Sequence, residues 1–203
     1  MRAAFISAML VGVILLVWLD RGVVAPRRRI GSGLAEQTAA SDRARYHGHT
    51  FAVAGVVDGD TLDVAAPDGG RATTRVRLLG IDAPEARDGD QQPAHFAAEA
   101  TAFARQSLAG RRVTLHLDEN GRTRGTYGRL LAYAVLPDGT AFNETLVAEG
   151  YAYADLRFKH GFYHKYRQLE ASARALNKGL WAEATRDDLP AWLQRMRPDL
   201  LAD

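Results

Sequence analysis

Residues 50–85, TFAVAGVVDGDTLDVAAPDGGRATTRVRLLGIDAPE, contain the strand and turn pattern from which we predict the fold. Strand-like runs at 50–57, 60–66 and 73–81 follow one another, and the Pro-Asp-Gly-Gly segment at 67–70 is typical of a tight turn. The pattern predicts a three-stranded antiparallel meander. In such a meander the start of the second strand lies beside the end of the third, so polar residues at these two places are expected to meet.

The rest of the chain supplies two more strands and about three helices. The strands are expected at 111–118 and 129–136, and the helices at 93–108, 141–150 and 162–177. Five short strands with a helix inserted after the third predict a small Greek-key β-barrel with helices, an α+β layout of the OB type. Barrels of this kind bind ligands on one face.

Composition limits the classes of protein that the sequence can represent. Its 203 residues, 47% hydrophobic and 25% charged, suffice for one well-packed domain with extensions. The lack of cysteine excludes disulfides, thiolate zinc sites and cysteine nucleophiles. Residues 1–48 hold 7 basic and 3 acidic residues, which leaves 19 basic against 21 acidic residues in the remainder. We therefore expect no broad basic face on the main domain, and anion binding there relies on a few placed arginines.

The first part of the chain has the composition of a membrane-associated segment. Residues 3–19, AAFISAMLVGVILLVWL, form an uncharged apolar run, so residues 1–19 are interpreted as a transmembrane anchor or, alternatively, a cleaved signal segment. Residues 20–48 lack periodicity and are interpreted as a solvated linker. The main domain is expected at 49–183, followed by a C-terminal tail, 184–203, in which a short helix could pack on the barrel.

Carboxylates gather at the two strand ends that the meander brings together. Asp60 starts the second strand and Asp82 follows the third, and two close carboxylates repel each other unless a cation lies between them. A hard divalent ion with oxygen ligands, such as Ca²⁺, suits this pair. Glu85, three residues after Asp82, is then placed to act as a general base on a water near the ion.

Two arginines complete the candidate site. Arg77 lies on the approach to the turn, and Arg129 lies at the start of a later strand. Guanidinium groups match phosphate oxygens in pairs and stabilise the extra negative charge of a phosphodiester transition state. These residues predict phosphodiester hydrolysis. Two other interpretations stay open. In one, the charged residues are structural turn formers and solvated strand pairs. In the other, Asp82 and Glu85 form a glycosidase pair, which leaves both arginines unexplained.

Four segments occur in an order that resembles the staphylococcal nuclease (thermonuclease) family, from about residue 50 to Trp181. They are VVDGDTLDV, RVRLLGIDAPE, TYGRLLAYAVLPDG and NETLVAEGYA. The resemblance implies a five-stranded OB-fold of the staphylococcal nuclease type, calcium dependence, and hydrolysis of DNA and RNA that leaves 3′-phosphorylated products. The alternative is a non-catalytic OB-fold module that binds nucleic acid or protein. Degenerate copies of the domain are expected to lose members of the charged set, all of which are present here.

The resemblance implies how a metal ion would be held. Asp60 and Asp82 match the metal carboxylates of the family, and the backbone carbonyl of Ala83 matches a further ligand. Asp58 matches an acidic position beside the metal that supports the ligands without binding the ion directly.

The resemblance also implies how substrate would be bound and cleaved. Glu85 matches the general base, Arg77 and Arg129 match the two arginines on the reactive phosphate, and Tyr127 matches an aromatic residue that contacts substrate phosphate. The sequence departs from the family at Thr126, where a lysine is common, and at two positions where tyrosines pack on the terminal nucleotide. These two positions hold Leu156 and Phe158. The departures at Leu156 and Phe158 predict altered base stacking and unaltered phosphate chemistry. At Thr126, the preceding Arg122 and Arg124 could supply the positive charge instead of the lysine.

The expected location and partners follow from these interpretations. Four arginines after the apolar run favour a cytoplasmic domain by the positive-inside rule: Arg21, Arg27, Arg28 and Arg29. A degradative nuclease on that side would meet scarce calcium and the cell's own nucleic acid, so we expect a membrane-anchored or secreted domain outside the cytoplasm. DNA and RNA are the expected substrates, the membrane is contacted through the N-terminal helix, and a monomer is expected. A metal role for His160 and His164, four residues apart, lacks a third ligand.

Overall fold

The computed structural model describes residues 30–85 and 93–201, with side chains from residue 35 onward. The predicted N-terminal anchor therefore lies outside the described residues. The described residues from Thr38 onward form one compact unit. None of the helices in the described ranges is long and apolar enough to cross a membrane.

Five strands close into a barrel, and two short strands pair beside it. The strands in the described ranges are β1 (His49–Val56), β2 (Thr61–Val64), β3 (Thr74–Leu78), β4 (Ile81–Asp82), β5 (Arg112–His116), β6 (Leu130–Val135) and β7 (Tyr153–Ala154). The barrel order is β1-β2-β3-β6-β5, with β5 pairing back onto β1, and β4 pairs with β7. The antiparallel β1-β2-β3 meander and the parallel β3-β6 pair confirm the predicted five-stranded α+β barrel.

The structure also contains helices. Those in the described ranges are α1 (Ile30–Tyr46), α2 (Ala97–Leu108), α3 (Phe142–Ala148), α4 (Tyr163–Ala175) and α5 (Ala191–Met196), with 3₁₀ turns at Gly179–Ala182 and Arg186–Asp188. The helix predicted from residue 93 begins only at Ala97. Phe96 adopts a left-handed φ of 66°, which interrupts the backbone before the first helical turn. In the C-terminal tail, α5 is the short helix that the sequence suggested.

Helix α1 differs from the solvated linker expected over residues 20–48. Tyr46 is fully buried, and its hydroxyl lies 3.0 Å from Thr74 Oγ1 on β3. Asp42, one turn earlier, is also buried. Because this helix turns a carboxylate and one tyrosine toward the barrel in place of a regular apolar stripe, hydrophobic periodicity gives no signal for it.

The strands position the candidate site through their alternation. In β3, Val76 and Leu78 are buried in the core, while Arg77 lies on the opposite face of the strand. Thr61 of β2 is the direct partner of Arg77 in the β2-β3 register, so the residue before Thr61, Asp60, lies beside Arg77. The register of β4 with β7 places Asp82 opposite Tyr153.

Candidate active site

The loop between β1 and β2 carries the acidic Asp-Gly-Asp segment. The backbone N–H of Asp60 donates to Asp58 Oδ1 over 3.0 Å, the local bond by which aspartate stabilises a turn. A Cβ on Gly59 would lie 2.6 Å from the Ala83 Cβ and 3.2 Å from the Ala100 Cβ. Glycine is therefore needed between the two aspartates, because the loop packs directly against the segment that follows β4.

Asp60 is a buried carboxylate with three partners. Its Oδ2 accepts the backbone N–H of Ala83 over 2.7 Å and contacts Arg77 Nη1, while its Oδ1 accepts the Thr61 hydroxyl over 3.0 Å. Burial raises the pKa of Asp60 to about 7 even though the Arg77 charge opposes the rise. A carboxylate with this pKa is poorly compensated, so additional positive charge at this place would favour its ionised form.

Asp82 has a donor on each carboxylate oxygen. Oδ1 accepts Arg77 Nη2 over 2.5 Å and lies 2.9 Å from Arg157 Nη2. Oδ2 accepts the indole N–H of Trp192 over 2.8 Å. The structure thus brings Asp60 and Asp82 together, and the cation that lies between them is the guanidinium of Arg77.

Arg77 is itself largely enclosed by the protein. Burial works to lower its pKa, but the charges of Asp60 and Asp82 outweigh burial and raise it. The guanidinium therefore stays charged, and the two carboxylates neutralise it. In this arrangement Arg77 is committed to protein carboxylates and does not offer a free charge to an anion.

Glu85 lies at the edge of the same cluster. Its side chain is exposed, and its backbone carbonyl accepts the N–H of Ala94 over 3.0 Å. Crowding by protein atoms and the charge of Asp58 raise the pKa of Glu85, while Arg77 and Arg129 act against the rise. The residue thus interacts electrostatically with both arginines predicted to bind phosphate.

Arg129 and Tyr127 border the cluster on the side of β2. Arg129 Nη1 donates to the Thr61 hydroxyl over 3.4 Å, and its guanidinium lies 6.0 Å from the centre of the Tyr127 ring. Tyr127 is 86% exposed, so its side chain is accessible to a ligand. Arg129 therefore lies beside Thr61, the neighbour of Asp60 in the chain, and Tyr127 lies beside Arg129.

The donors present are suited to a hard divalent cation. Carboxylate, hydroxyl and carbonyl oxygens are the ligands that calcium and magnesium take, and Arg77 demonstrates that a positive charge fits between Asp60 and Asp82. Within the described ranges, no three His, Asp or Glu side chains are grouped as a metal site. The N–H of Ala83 is occupied by Asp60, and the part played by its carbonyl stays a prediction.

Comparison with known proteins assigns the chain to a protein family. A model of the family described as staphylococcal nuclease homologue matches residues 75–183. The chain belongs to the staphylococcal nuclease family. A thermonuclease of Staphylococcus hyicus is 32% identical over 134 residues, 66% of this chain and 76% of that protein. An uncharacterized endonuclease of Escherichia coli is 31% identical over 160 residues, 76% of this chain and 88% of that protein.

Membership in the staphylococcal nuclease family identifies the enzyme class as a nuclease hydrolase. Arg77, Asp82, Glu85 and Arg129 fall inside the matched residues. Asp60 lies before the matched residues, and the pairing of β2 with β3 places it beside Arg77.

Two side chains of the site were not predicted from the sequence. Arg157 binds Asp155 through two hydrogen bonds of 2.9 and 3.0 Å and also reaches Asp82. Trp192 comes from α5, beyond the residues that match the family. The signal for Arg157 was its position between the two departures from the family pattern, Leu156, which is buried, and Phe158, which is 64% exposed.

His160 has a structural environment. Its Nδ1 lies 3.1 Å from the Tyr133 hydroxyl, which donates to Asp118 Oδ2 over 2.9 Å. The ring also covers Gly80, where a Cβ would lie 2.3 Å from it. These contacts support the structural interpretation of His160 over the metal-binding one.

Proposed function

We propose that this protein is a calcium-dependent endonuclease that hydrolyses phosphodiester bonds of DNA and RNA and leaves 3′-phosphorylated products. The observation that carries the proposal is the pair of carboxylates, Asp60 and Asp82, gathered on the guanidinium of Arg77 with Glu85 beside them. A non-catalytic module has no need of two carboxylates in one largely buried cluster, because burying charge is costly.

The metal ion would be held by the oxygens that face Arg77. Asp60, Asp82 and the backbone carbonyl of Ala83 would be its ligands, with Asp58 supporting the loop through its bond to the Asp60 N–H. Bound calcium supplies a Lewis acid that polarises phosphoryl oxygen and water. The carboxylates then have a second cation, so Arg77 can exchange a carboxylate partner for a phosphate oxygen.

The residues of the chain carry the hydrolytic step. The Glu85 carboxylate accepts a proton from the attacking water, whose oxygen forms a bond to phosphorus as the bond to the 5′-oxygen breaks. The 5′-oxygen leaves and takes a proton from solvent, so the phosphate stays on the 3′ side. Arg77 and Arg129 donate to the non-bridging oxygens, whose negative charge grows in the transition state, and Tyr127 contacts a substrate phosphate. The raised pKa of Glu85 brings this base closer to the working pH.

Hydrolysis of denatured DNA by the full chain tests the proposal. We expect cleavage with millimolar calcium, none with excess chelator, and a fall in turnover of about 10²–10⁴-fold in Glu85→Gln, the range for a general base. Arg129→Ala is expected to lose about 10²–10³-fold, the range for one donor to transition-state charge. Glu183→Gln, an exposed glutamate beyond a 3₁₀ turn, makes the same charge change and is expected to keep wild-type turnover.

The outcomes separate the alternatives. Product ends that a polymerase extends only after phosphatase treatment would support 3′-phosphates, and directly extended ends would contradict this part of the proposal. Binding of DNA without cleavage by the folded protein would favour a non-catalytic OB-fold module. Cleavage with magnesium and none with calcium would replace the proposed ion.

We also propose that the domain acts as a monomer outside the cytoplasm, membrane-anchored or secreted. The apolar run at 3–19 and the scarcity of calcium in the cytoplasm support this location. The full chain with a C-terminal phosphatase that is active only outside the cytoplasm should give a signal. A silent fusion, present at normal amounts, would place the domain in the cytoplasm.

A further inference from the structure

The indole of Trp192 contacts the candidate metal site from the C-terminal segment. Its N–H donates to Asp82 Oδ2 over 2.8 Å, although 110 positions separate the two residues in the sequence. The ring is 8% exposed, so the bond is largely shielded from water. A shielded hydrogen bond to a charged group is stronger than an exposed one between neutral groups.

The other side of the indole is in contact with a cation. The guanidinium carbon of Arg157 lies 4.6 Å from the centre of the Trp192 ring, a cation–π distance. Arg157 in turn lies 2.9 Å from Asp82 Oδ1 and is fixed by its paired bonds to Asp155. Trp192 therefore both binds Asp82 directly and supports the arginine on its other oxygen.

Helix α5 is anchored well enough to hold the indole in place. Leu193 is fully buried, and Leu189 and Leu200 on either side of the helix are also buried in the core. Gln194 Nε2 donates to the Leu189 carbonyl over 2.7 Å and closes the turn that leads into the helix. The C-terminal segment is thus a packed part of the domain.

We propose that Trp192 is a positioning residue for Asp82 and that it sets the affinity of the site for calcium. The inference rests on the proposed function, because it takes Asp82 as a metal ligand. A carboxylate held by a neutral N–H keeps its full charge and its orientation, while its remaining lone pairs stay available. Groups that orient a metal ligand in this way contribute about 10–100-fold to metal affinity or activity.

Calcium binding by the full chain and by Trp192→Phe tests this assignment. Phenylalanine keeps an aromatic ring against Arg157 and removes the N–H. We expect the dissociation constant for calcium, measured by titration calorimetry, to rise about tenfold. Met196→Ala, a half-exposed position on the same helix, is the matched control and should bind calcium as the wild type does.

Two further readouts distinguish positioning from a loss of structure. Turnover of Trp192→Phe should return to near the wild-type value at saturating calcium, whereas a distorted site would stay slow. Calcium should change the tryptophan emission of the wild type, and this change should be absent from the variant, which retains Trp18 and Trp181. If the variant does not reach the wild-type melting profile, a benzothiophene analogue of Trp192 replaces only the N–H by sulfur and decides the point.

Each result separates the inference from the proposed function. Equal or tighter calcium binding by the folded variant would overturn the role of Trp192 and leave the nuclease proposal intact. The absence of calcium binding in the wild type would overturn the calcium site and this inference together.

Discussion

Replacing Arg124 by methionine is expected to destabilise the protein strongly, because this side chain joins α1 to two loops. Its Nε and Nη2 donate to Asp42 over 2.8 and 2.6 Å. Its Nη1 donates to Asp68 over 2.6 Å and to the Gly128 carbonyl over 3.1 Å. Methionine keeps an apolar stem of similar length and removes every one of these donors.

The magnitude follows from the burial of Asp42, which is 5% exposed. In the variant this carboxylate keeps the Thr123 hydroxyl, 2.7 Å away, and loses its positive partner. Breaking a buried ion pair in this way costs about 3–5 kcal/mol, whereas an exposed pair contributes about 0–1 kcal/mol. For a domain of this size about 1 kcal/mol moves the melting temperature by roughly 2–4 °C, so a fall of at least about 6 °C is expected.

The loss of stability in Arg124→Met should also depend on pH. Burial works to raise the pKa of Asp42, but the hydrogen bonds from Arg124 and Thr123 outweigh burial and lower it. A lowered pKa in the folded wild type means that Asp42 stabilises the fold above its unfolded pKa and loses this contribution as pH falls through the folded value. In the variant, the Thr123 hydrogen bond and the Arg45 charge still oppose burial but Arg124 does not, so the pKa of Asp42 is higher than in the wild type and less stability is lost as pH falls. The gap between variant and wild type should therefore narrow on acidification.

Denaturant unfolding of both proteins at pH 7 and at about pH 3.5, below the ordinary aspartate pKa of 3.8, measures this prediction. Arg122→Met, an exposed arginine in the same loop, is the control and should change stability by less than about 0.5 kcal/mol. The double variant Asp42→Leu, Arg124→Met should be more stable than Arg124→Met alone, because it removes the buried carboxylate that has lost its arginine partner. A cost below about 1 kcal/mol for Arg124→Met at pH 7, or a difference in stability that grows in acid, would show that Asp42 does not depend on Arg124 to compensate its buried charge.

Two further substitutions test contacts that hold the site in place. Gly80→Ala should cost more free energy of unfolding than Gly139→Ala: both glycines have φ above 80°, but a Cβ at Gly80 would meet the His160 ring at 2.3 Å and one at Gly139 meets nothing within 4 Å. Equal losses of stability for the two variants in thermal melts would show that the His160 ring moves aside at no cost. Asn143→Ala should cost about 2–4 kcal/mol in denaturant unfolding, because its buried amide bonds three backbone groups of the barrel, and a loss under about 1 kcal/mol would contradict this account.

The strands were predictable because their signal is local. Alternating apolar residues and turn residues such as the Pro-Asp-Gly-Gly segment define β1 to β3 and hence the neighbourhood of Asp60 and Arg77. Helix α1 was missed because its buried face carries Asp42, whose partner Arg124 lies 82 residues away. The start of α2 was placed too early because the left-handed Phe96 has no sequence signature.

Only the part of the site that lies on the β1-β2-β3 meander and directly after it could be predicted from the sequence. Asp60, Arg77 and Asp82 meet because neighbouring strands bring them together, which the sequence pattern implies. Arg157 and Trp192 reach Asp82 through tertiary packing. The position of Arg157 between Leu156 and Phe158 was a weak local signal, and Trp192 has no local feature that distinguishes it from a core tryptophan. Long-range contacts of this kind become visible only in the folded chain.

The charge balance of the site explains why a metal ion and a phosphodiester would depend on each other. Asp60 and Asp82 hold the guanidinium of Arg77 between them, so without a further cation Arg77 has little positive charge to offer an anion. On the proposed mechanism Asp60 and Asp82 would hold a divalent cation, and the guanidinium of Arg77 would then be free to bind phosphate. Because linkage is reciprocal, bound phosphate must then raise the affinity for the cation by the same factor. On this proposal Arg77 would couple the two ligands, and the hydrogen bond from Trp192 would keep Asp82 in place while Arg77 exchanges partners.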